Sequence, residues 1–304
     1  MKTNKQTKIK LIVLLILLSN YINDIHAQTS IIEELCLTQN KASDRYASFS
    51  PDGQKILFES DRDGDWNIYL MDADGKNQQA LTRHDSTDRR PSWHPSGKKI
   101  LFESNRGGKM GLYTLHLKSK KINTLAHGDQ AGIPIFASYS PNGKQIALSL
   151  QYSDTKIGIL LLNKKGKLIR PLMDNNWRNV YPRWSGDGKE IVFFSRKDTE
   201  NQDDEIYKMD LQSGTEVRLT NWPKHNFCPS WSFDQQRIAY VTSMEGTRPE
   251  IYIMNADGTK QTRLTNNTDG ETLPNWAPHK NSLLITAYRV DNYEICELIL
   301  QANK

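Results

Sequence analysis

The sequence predicts an all-β fold, a six-bladed β-propeller of four-stranded antiparallel blades. Three observations predict it. An aromatic anchor, followed by a small or polar residue, a Pro-Asp-Gly-like turn and an aliphatic pair, recurs at Phe49, Trp93, Tyr139, Trp184, Trp231 and Trp276. The steps between anchors are 44, 46, 45, 47 and 45 residues, a period that reads as one propeller blade each. Each period holds four short β-rich runs parted by turn residues, and no stretch carries the sustained 3.6-residue apolar period of a helix.

The elements follow in chain order. Lys2, Lys5, Lys8 and Lys10 precede an apolar run from Leu11 to Leu18, and Ile25-His26-Ala27 follows as a cleavage-like site. Residues 1–27 therefore read as a secretory signal peptide, because eight apolar residues are too few to span a bilayer, which needs about 20. Cys36 stands too far from the run to be a lipidated cysteine. The chain is expected in the periplasm or secreted, with no stable membrane span and residues 28–304 forming the propeller. Removing four lysines and Asp24, a net +3, from the formal +5 leaves about +2, which makes no electrostatic case for nucleic acid.

The first blade runs Phe49-Ser-Pro-Asp-Gly53, Ile56-Leu-Phe58, Asn67-Ile-Tyr-Leu-Met71, Asp72-Ala-Asp-Gly75 and Leu81-Thr82; the fifth repeats it through Trp231, Ile238, Glu250 to Met254, Asp257-Gly258 and Leu264-Thr265. Asp-Gly pairs supply the positive φ that tight hairpins demand. Blade three departs most from this wording, and blade four carries the longest loop between second and third strands, Arg196 to Asp204. The sixth repeat stops after Glu294-Ile-Cys-Glu-Leu298, one strand short, while Ile32 to Thr38 has the wording of a fourth strand. A closing strand at about 31–38 should complete the last blade and remove an open sheet edge. That alignment sets Cys296 on Tyr252 and Cys36 on Arg263, directly opposed across the hairpin. A disulfide is expected in an exported chain; two unbridged thiols are the alternative, since directly opposed strand pairs strain disulfide geometry. Cys228 should lie buried at the start of a first strand.

The anchor-turn wording, then Ile-x-Phe-x-Ser-x-Arg, Ile-Tyr-x-Met-Asp-x-Asp-Gly and Leu-Thr, resembles the TolB-type WD40-like repeat. Phe49 to Gly53 with Ser60 and Arg62, Pro91 to Pro95 with Ser104 and Arg106, and Ile251 to Gly258 carry the likeness, which covers essentially the whole chain after residue 27. The resemblance implies a TolB-like β-propeller serving as a binding platform, with no reaction; no cofactor or metal is expected. TolB docks a peptidoglycan-associated lipoprotein on one propeller face; the chain is expected to be a propeller-only relative without the TolB N-terminal domain, and a monomer.

No Gly-x-Ser-x-Gly elbow occurs, and no two of the seven histidines stand at metal-ligand spacing on one strand. Asp61-Arg-Asp-Gly-Asp65 has its glycine at the wrong place for a calcium loop and reads as a polar turn. Binding residues are sought at the channel mouth. Five places before each anchor stand Asp44, Asp88, Pro134, Asn179, Asn226 and Glu271. Arg45 and Arg89 follow two of them, Arg183 precedes an anchor, and His84, Trp177, Trp222 and His225 lie in the same loops. The acidic and amide groups could simply cap their own loops. The arginines, histidines and tryptophans would suit an envelope protein, a peptide terminus or an acidic glycan, Arg gripping a carboxylate and Trp stacking on a ring. The alternative is a propeller lyase or hydrolase acting on acidic oligosaccharides, for which the channel loops offer no convincing histidine set.

Overall fold

The computed structural model describes residues 29–83, 85–127, 132–197, 199, 203–221, 224–243, 247–267 and 269–301. The expected leader, His84 and Trp222 lie outside the described residues. After β1 (Ile31–Cys36), blade 1 comprises β2 (Asp44–Phe49), β3 (Lys55–Ser60), β4 (Asn67–Asp72) and β5 (Gln79–Ala80). Blade 2 comprises β6 (Asp88–Trp93), β7 (Lys99–Ser104), β8 (Gly111–His116) and β9 (Ile122–His127). Blade 3 comprises β10 (Ile133–Tyr139), β11 (Gln145–Gln151), β12 (Ile157–Asn163) and β13 (Leu168–Met173), and blade 4 β14 (Asn179–Trp184), β15 (Glu190–Ser195), β16 (Glu205–Asp210) and β17 (Glu216–Arg218). Blade 5 comprises β18 (His225–Trp231), β19 (Arg237–Ser243), β20 (Glu250–Asn255) and β21 (Thr262–Arg263). Blade 6 takes β22 (Glu271–Trp276), β23 (Ser282–Arg289) and β24 (Asn292–Leu300) from the chain's end and β1 from its start. The described residues contain six four-stranded antiparallel sheets and no helix.

Second strands such as β3 and β7, both Lys-Ile-Leu-Phe-Glu-Ser, are buried on both faces after their first residue. Blades stacked side to side cover both faces, so these strands lose the polar alternation of a one-sided sheet. The anchors sit at the ends of the first strands and reach toward the preceding blade. Trp93 Nε1 donates to the Ser48 carbonyl and Trp184 Nε1 to the Ser138 carbonyl, both at 3.2 Å.

The Leu-Thr pairs lie just past the fourth strands rather than within them, so the closing strand ends at Cys36. Their role is a cap. The hydroxyls of Thr38, Thr82, Thr220 and Thr265 each accept the N–H of a third-strand residue (Ile295, Ile68, Ile206, Ile251) at 2.9 Å. Leaving the ladder frees these N–H groups, and the buried threonine oxygens satisfy them. The hairpin glycines of blades 1 and 5 pack on the neighbouring blade's cap: a Cβ on Gly75 (φ +83°) would meet the Leu37 carbonyl at 2.7 Å, and one on Gly258 (φ +87°) the Leu219 carbonyl at 2.9 Å.

Ring closure follows the repeat alignment. β1 pairs with β24 with Cys36 opposite Cys296, as Arg263 lies opposite Tyr252 in blade 5. A disulfide joins Cys36 to Cys296. The free thiol Cys228 is buried, but in the middle of β18 rather than at its start.

Candidate functional site

The six first strands stand side by side around the central channel. Every one is bulged: register shifts fall between Arg45 and Ser48, Arg89 and Ser92, Ile135 and Ser138, Val180 and Arg183, Phe227 and Ser230, and Thr272 and Asn275. The bulge residue, three before each anchor, is left-handed in all six blades: Tyr46 (φ 55°), Arg90 (47°), Phe136 (54°), Tyr181 (64°), Cys228 (52°) and Leu273 (55°). Left-handed non-glycine backbone costs of order 1–3 kcal/mol each, so this ring is held by its neighbours. Phe136 meets Tyr181 edge-on at 5.3 Å, and the Arg90 guanidinium lies 4.5 Å from the Phe136 ring. Burial raises the pKa of Tyr46 and Tyr181 and pushes the Cys228 thiol up to about 12. Sequence reasoning missed this ring, because none of the six residues is the glycine that usually marks left-handed backbone.

Three bulge N–H groups are capped by the second strand of the preceding blade. Arg90 N donates to Glu59 Oε2 at 2.7 Å, Phe136 N to Glu103 Oε1 at 2.6 Å, and Tyr181 N to Ser149 Oγ at 3.1 Å. Glu103 also accepts Arg90 Nη1 at 2.5 Å. Burial opposes the Arg90 charge, but Glu103 and Tyr46 outweigh it and raise its pKa. Burial raises the Glu103 carboxyl as well; with two donors on it, one a guanidinium, we take it as ionised.

The acceptors five before the anchors are built into the wall. Asp44 pairs with Arg62 at 2.9 Å, Asp88 with Arg106 at 2.6 Å and Glu271 with Arg289 at 3.2 Å, each acid fully buried. Where the acid becomes an amide, a hydroxyl replaces the arginine: Ser195 Oγ donates to Asn179 Oδ1 at 2.8 Å and Thr242 Oγ1 to Asn226 Oδ1 at 2.9 Å. The recurring Ser60/Arg62 and Ser104/Arg106 pairs thus hold the mouth together, the arginine taking both the serine hydroxyl and the acid. Asp61 and Asp63 serve their turn, accepting the Ser43 N–H and the Tyr69 hydroxyl.

Arg45 and Arg89 come together at this mouth through a residue sequence reasoning overlooked. Trp66 lies between them, 4.4 Å from the Arg45 guanidinium and 4.9 Å from that of Arg89. Arg45 also covers Tyr293 at 4.4 Å, and Arg89 pairs with the buried Glu59 at 3.2 Å. His225 lies 3.6 Å from Asp203, and Trp177 is 45% exposed on the neighbouring loop.

Arg183 is elsewhere. It lines a channel cavity of about 230 Å³ formed by the anchor-side halves of the first strands, with Ser48, Ser92, Ser138 and Asn275. The separation of three residues from the position of Arg89 puts Arg183 about 10 Å further along the channel. The bulge ring lies between the two ends. Arg183 stacks on Tyr181 at 3.6 Å and donates from Nη1 to the Pro182 carbonyl, and no carboxylate pairs with it among the described residues.

The family model of the TolB beta propeller domain matches residues 21–133 and 198–301, and the chain belongs to this family. An uncharacterized protein of Agrobacterium fabrum is 31% identical over 155 residues, 51% of each chain. An uncharacterized peptidase of Bacillus subtilis is 27% identical over 34% of this chain and 16% of its own length; the chain thus spans about half of the first of these curated relatives and a smaller part of the second. A solved TolB-type chain from Agrobacterium tumefaciens superposes with a TM-score of 0.62 at 27% identity, covering 71% of this chain and 75% of that one. An oligogalacturonate lyase in complex with manganese superposes with a TM-score of 0.63 over 90% and 96% of the chains, but at 15% identity this shows the fold alone.

Proposed function

We propose that the chain is an exported, non-catalytic binding scaffold, in the periplasm or outside the cell, that takes an anionic segment of a protein or peptide partner into its central channel. The observation that supports this best is Arg183, which has no carboxylate partner among the described residues and stands on the wall of a cavity lined also by Ser48, Ser92, Ser138 and Asn275, by aromatic residues and by the Glu103-paired Arg90. An arginine in such a setting offers two parallel donors to a carboxylate, and the aromatic ring behind it keeps the guanidinium in place. The TolB-type resemblance supports a protein rather than a glycan partner.

The arginine stack at the other mouth is the competing location. Native envelope extract is to be passed over immobilised wild type, Arg183→Ala, and an Arg45→Ala/Arg89→Ala double variant, with bound proteins identified by mass spectrometry. Loss of a partner from Arg183→Ala alone supports the cavity; loss from the double variant alone moves the site to the other mouth. Unchanged capture by both rejects a channel site. Incubation with oligogalacturonate, followed by ultraviolet absorbance of unsaturated products, tests the lyase alternative on the same protein.

A further inference from the structure

The turn at the end of the first strand of blade 5 departs from the repeat at two places. Phe233 takes the place held by Pro51, Pro95 and Pro141, and it is 65% exposed. Gln235 takes the glycine place of Gly53, Gly97, Gly143 and Gly188 and keeps their left-handed φ, at 60°. Beside this turn lies a cleft of about 370 Å³, bordered by Phe233, Arg237, Trp276, His279 and Asn281 among others.

Two buried donors in the cleft have no acceptor. Arg237 Nη1 and Trp276 Nε1 are both unpaired, while Arg237 Nη2 donates to Asn281 Oδ1 at 2.7 Å. Trp276 is 7% exposed. The matching indoles Trp93 and Trp184 give their N–H to the preceding strand, so the anchor role alone does not require an idle donor. The Arg237 guanidinium stands 4.6 Å from the Trp276 ring, and both residues border the cleft. Trp231 Nε1 is unpaired as well, and it does not border the cleft. The carboxylate of Asp234 is already engaged by the Ser232 hydroxyl and the Gln236 N–H, and Lys280 is taken by Glu297. Arg237 is therefore left with a charge that no ion pair meets among the described residues. Burial lowers its pKa and Asp234 only partly offsets that, the opposite of Arg90 and Arg289, whose partners raise theirs. Buried donors left without acceptors are costly and uncommon in folded proteins.

We propose that this cleft binds a small apolar carboxylate, with the carboxylate on Arg237 Nη1 and Trp276 Nε1 and the apolar group against the exposed Phe233 ring. The site is separate from the channel cavity, and its test does not depend on the channel reading. The probe is N-acetyl-phenylalanine, with its C-terminal amide as the neutral control, titrated into the intact protein by calorimetry and by ligand-observed NMR. The carboxylate is expected to bind and the amide to bind about tenfold more weakly or worse, the loss of a charge-assisted hydrogen bond. Arg237→Gln should weaken the carboxylate by a similar factor, and Phe233→Ser should weaken both probes. Arg237→Lys, which keeps a cation over the indole, separates lost binding from lost folding: it should stay folded and still bind more weakly than wild type. Equal affinity for the two probes, or no binding of either to wild type, overturns the proposal and leaves the donors to water.

Discussion

The ring is built in two ways. At the seams between blades 1 and 2, 2 and 3, and 3 and 4, the residue ten after the anchor is Glu59, Glu103 or Ser149, and its side chain caps the bulge N–H of the next blade. At the remaining seams the same place holds Phe194, Val241 and Thr286; the first two carry no acceptor, and the Thr286 hydroxyl is buried and unpaired. The apolar packing divides along a similar line, except at the closing seam. One continuous cluster, from Ile157 to Leu300, runs through blades 4, 5 and 6, whereas separate smaller clusters fill the seams between blades 1 and 2, 2 and 3, 3 and 4, and 6 and 1. The same left-handed backbone is therefore held by buried polar caps, two of them carboxylates, at three seams and by hydrophobic packing at the others. Buried charge holds only while every partner is present; apolar packing loses stability in proportion to the atoms removed.

That contrast sets the size of the mutational effects. Glu103→Ala should be the most damaging change, because it leaves Arg90 without its carboxylate and the Phe136 N–H without an acceptor. A loss of about 3–5 kcal/mol is expected, read as a lower urea midpoint with unchanged slope. Thr286→Val, at the matching place in the closing seam, should change stability by less than about 1 kcal/mol, since its hydroxyl has no partner to lose. A large loss there would break the comparison.

The closing blade is tied covalently within itself, its N-terminal strand to its C-terminal one. The disulfide encloses 260 residues, and Cys36→Ser should cost about 2–5 kcal/mol, measured by thermal unfolding beside intact-mass analysis of the alkylated protein. Asp88→Asn should cost about 1.5–3 kcal/mol by weakening the pair with Arg106. A further effect is alkaline. Burial raises the Cys228 thiol from 9.0 to about 12, so between these values the unfolded chain binds fewer protons and stability falls as pH rises. Cys228→Ala should flatten that fall relative to wild type, and the wild-type thiol should resist a disulfide-exchange reagent at mildly alkaline pH.

Much of the site was written in the sequence without its contacts. Asp44 with Arg62 and Asp88 with Arg106 appear there as two recurring features, one before the anchor and one after the second strand. That each acid meets its own blade's arginine follows from the hairpin, and it turns a candidate ligand ring into wall. Blades 4 and 5 show the same logic, an amide paired with a hydroxyl. The parting of Arg183 from Arg89 was harder to foresee. One bulge changes which way every later side chain on the strand points, and no turn residue or glycine marks it.

The sequence by itself determined the blade count, the strand order, the shared last blade and the opposition of Cys36 and Cys296. These rest on local patterning and on register, which repeat with the chain. Only the tertiary structure decided which charges are spent and which are free. Pairings such as Glu59 with the Arg90 N–H, Arg89 with Trp66, or Arg45 with Tyr293 join groups across blades, and their distances come from the closing of the ring rather than from spacing along the chain.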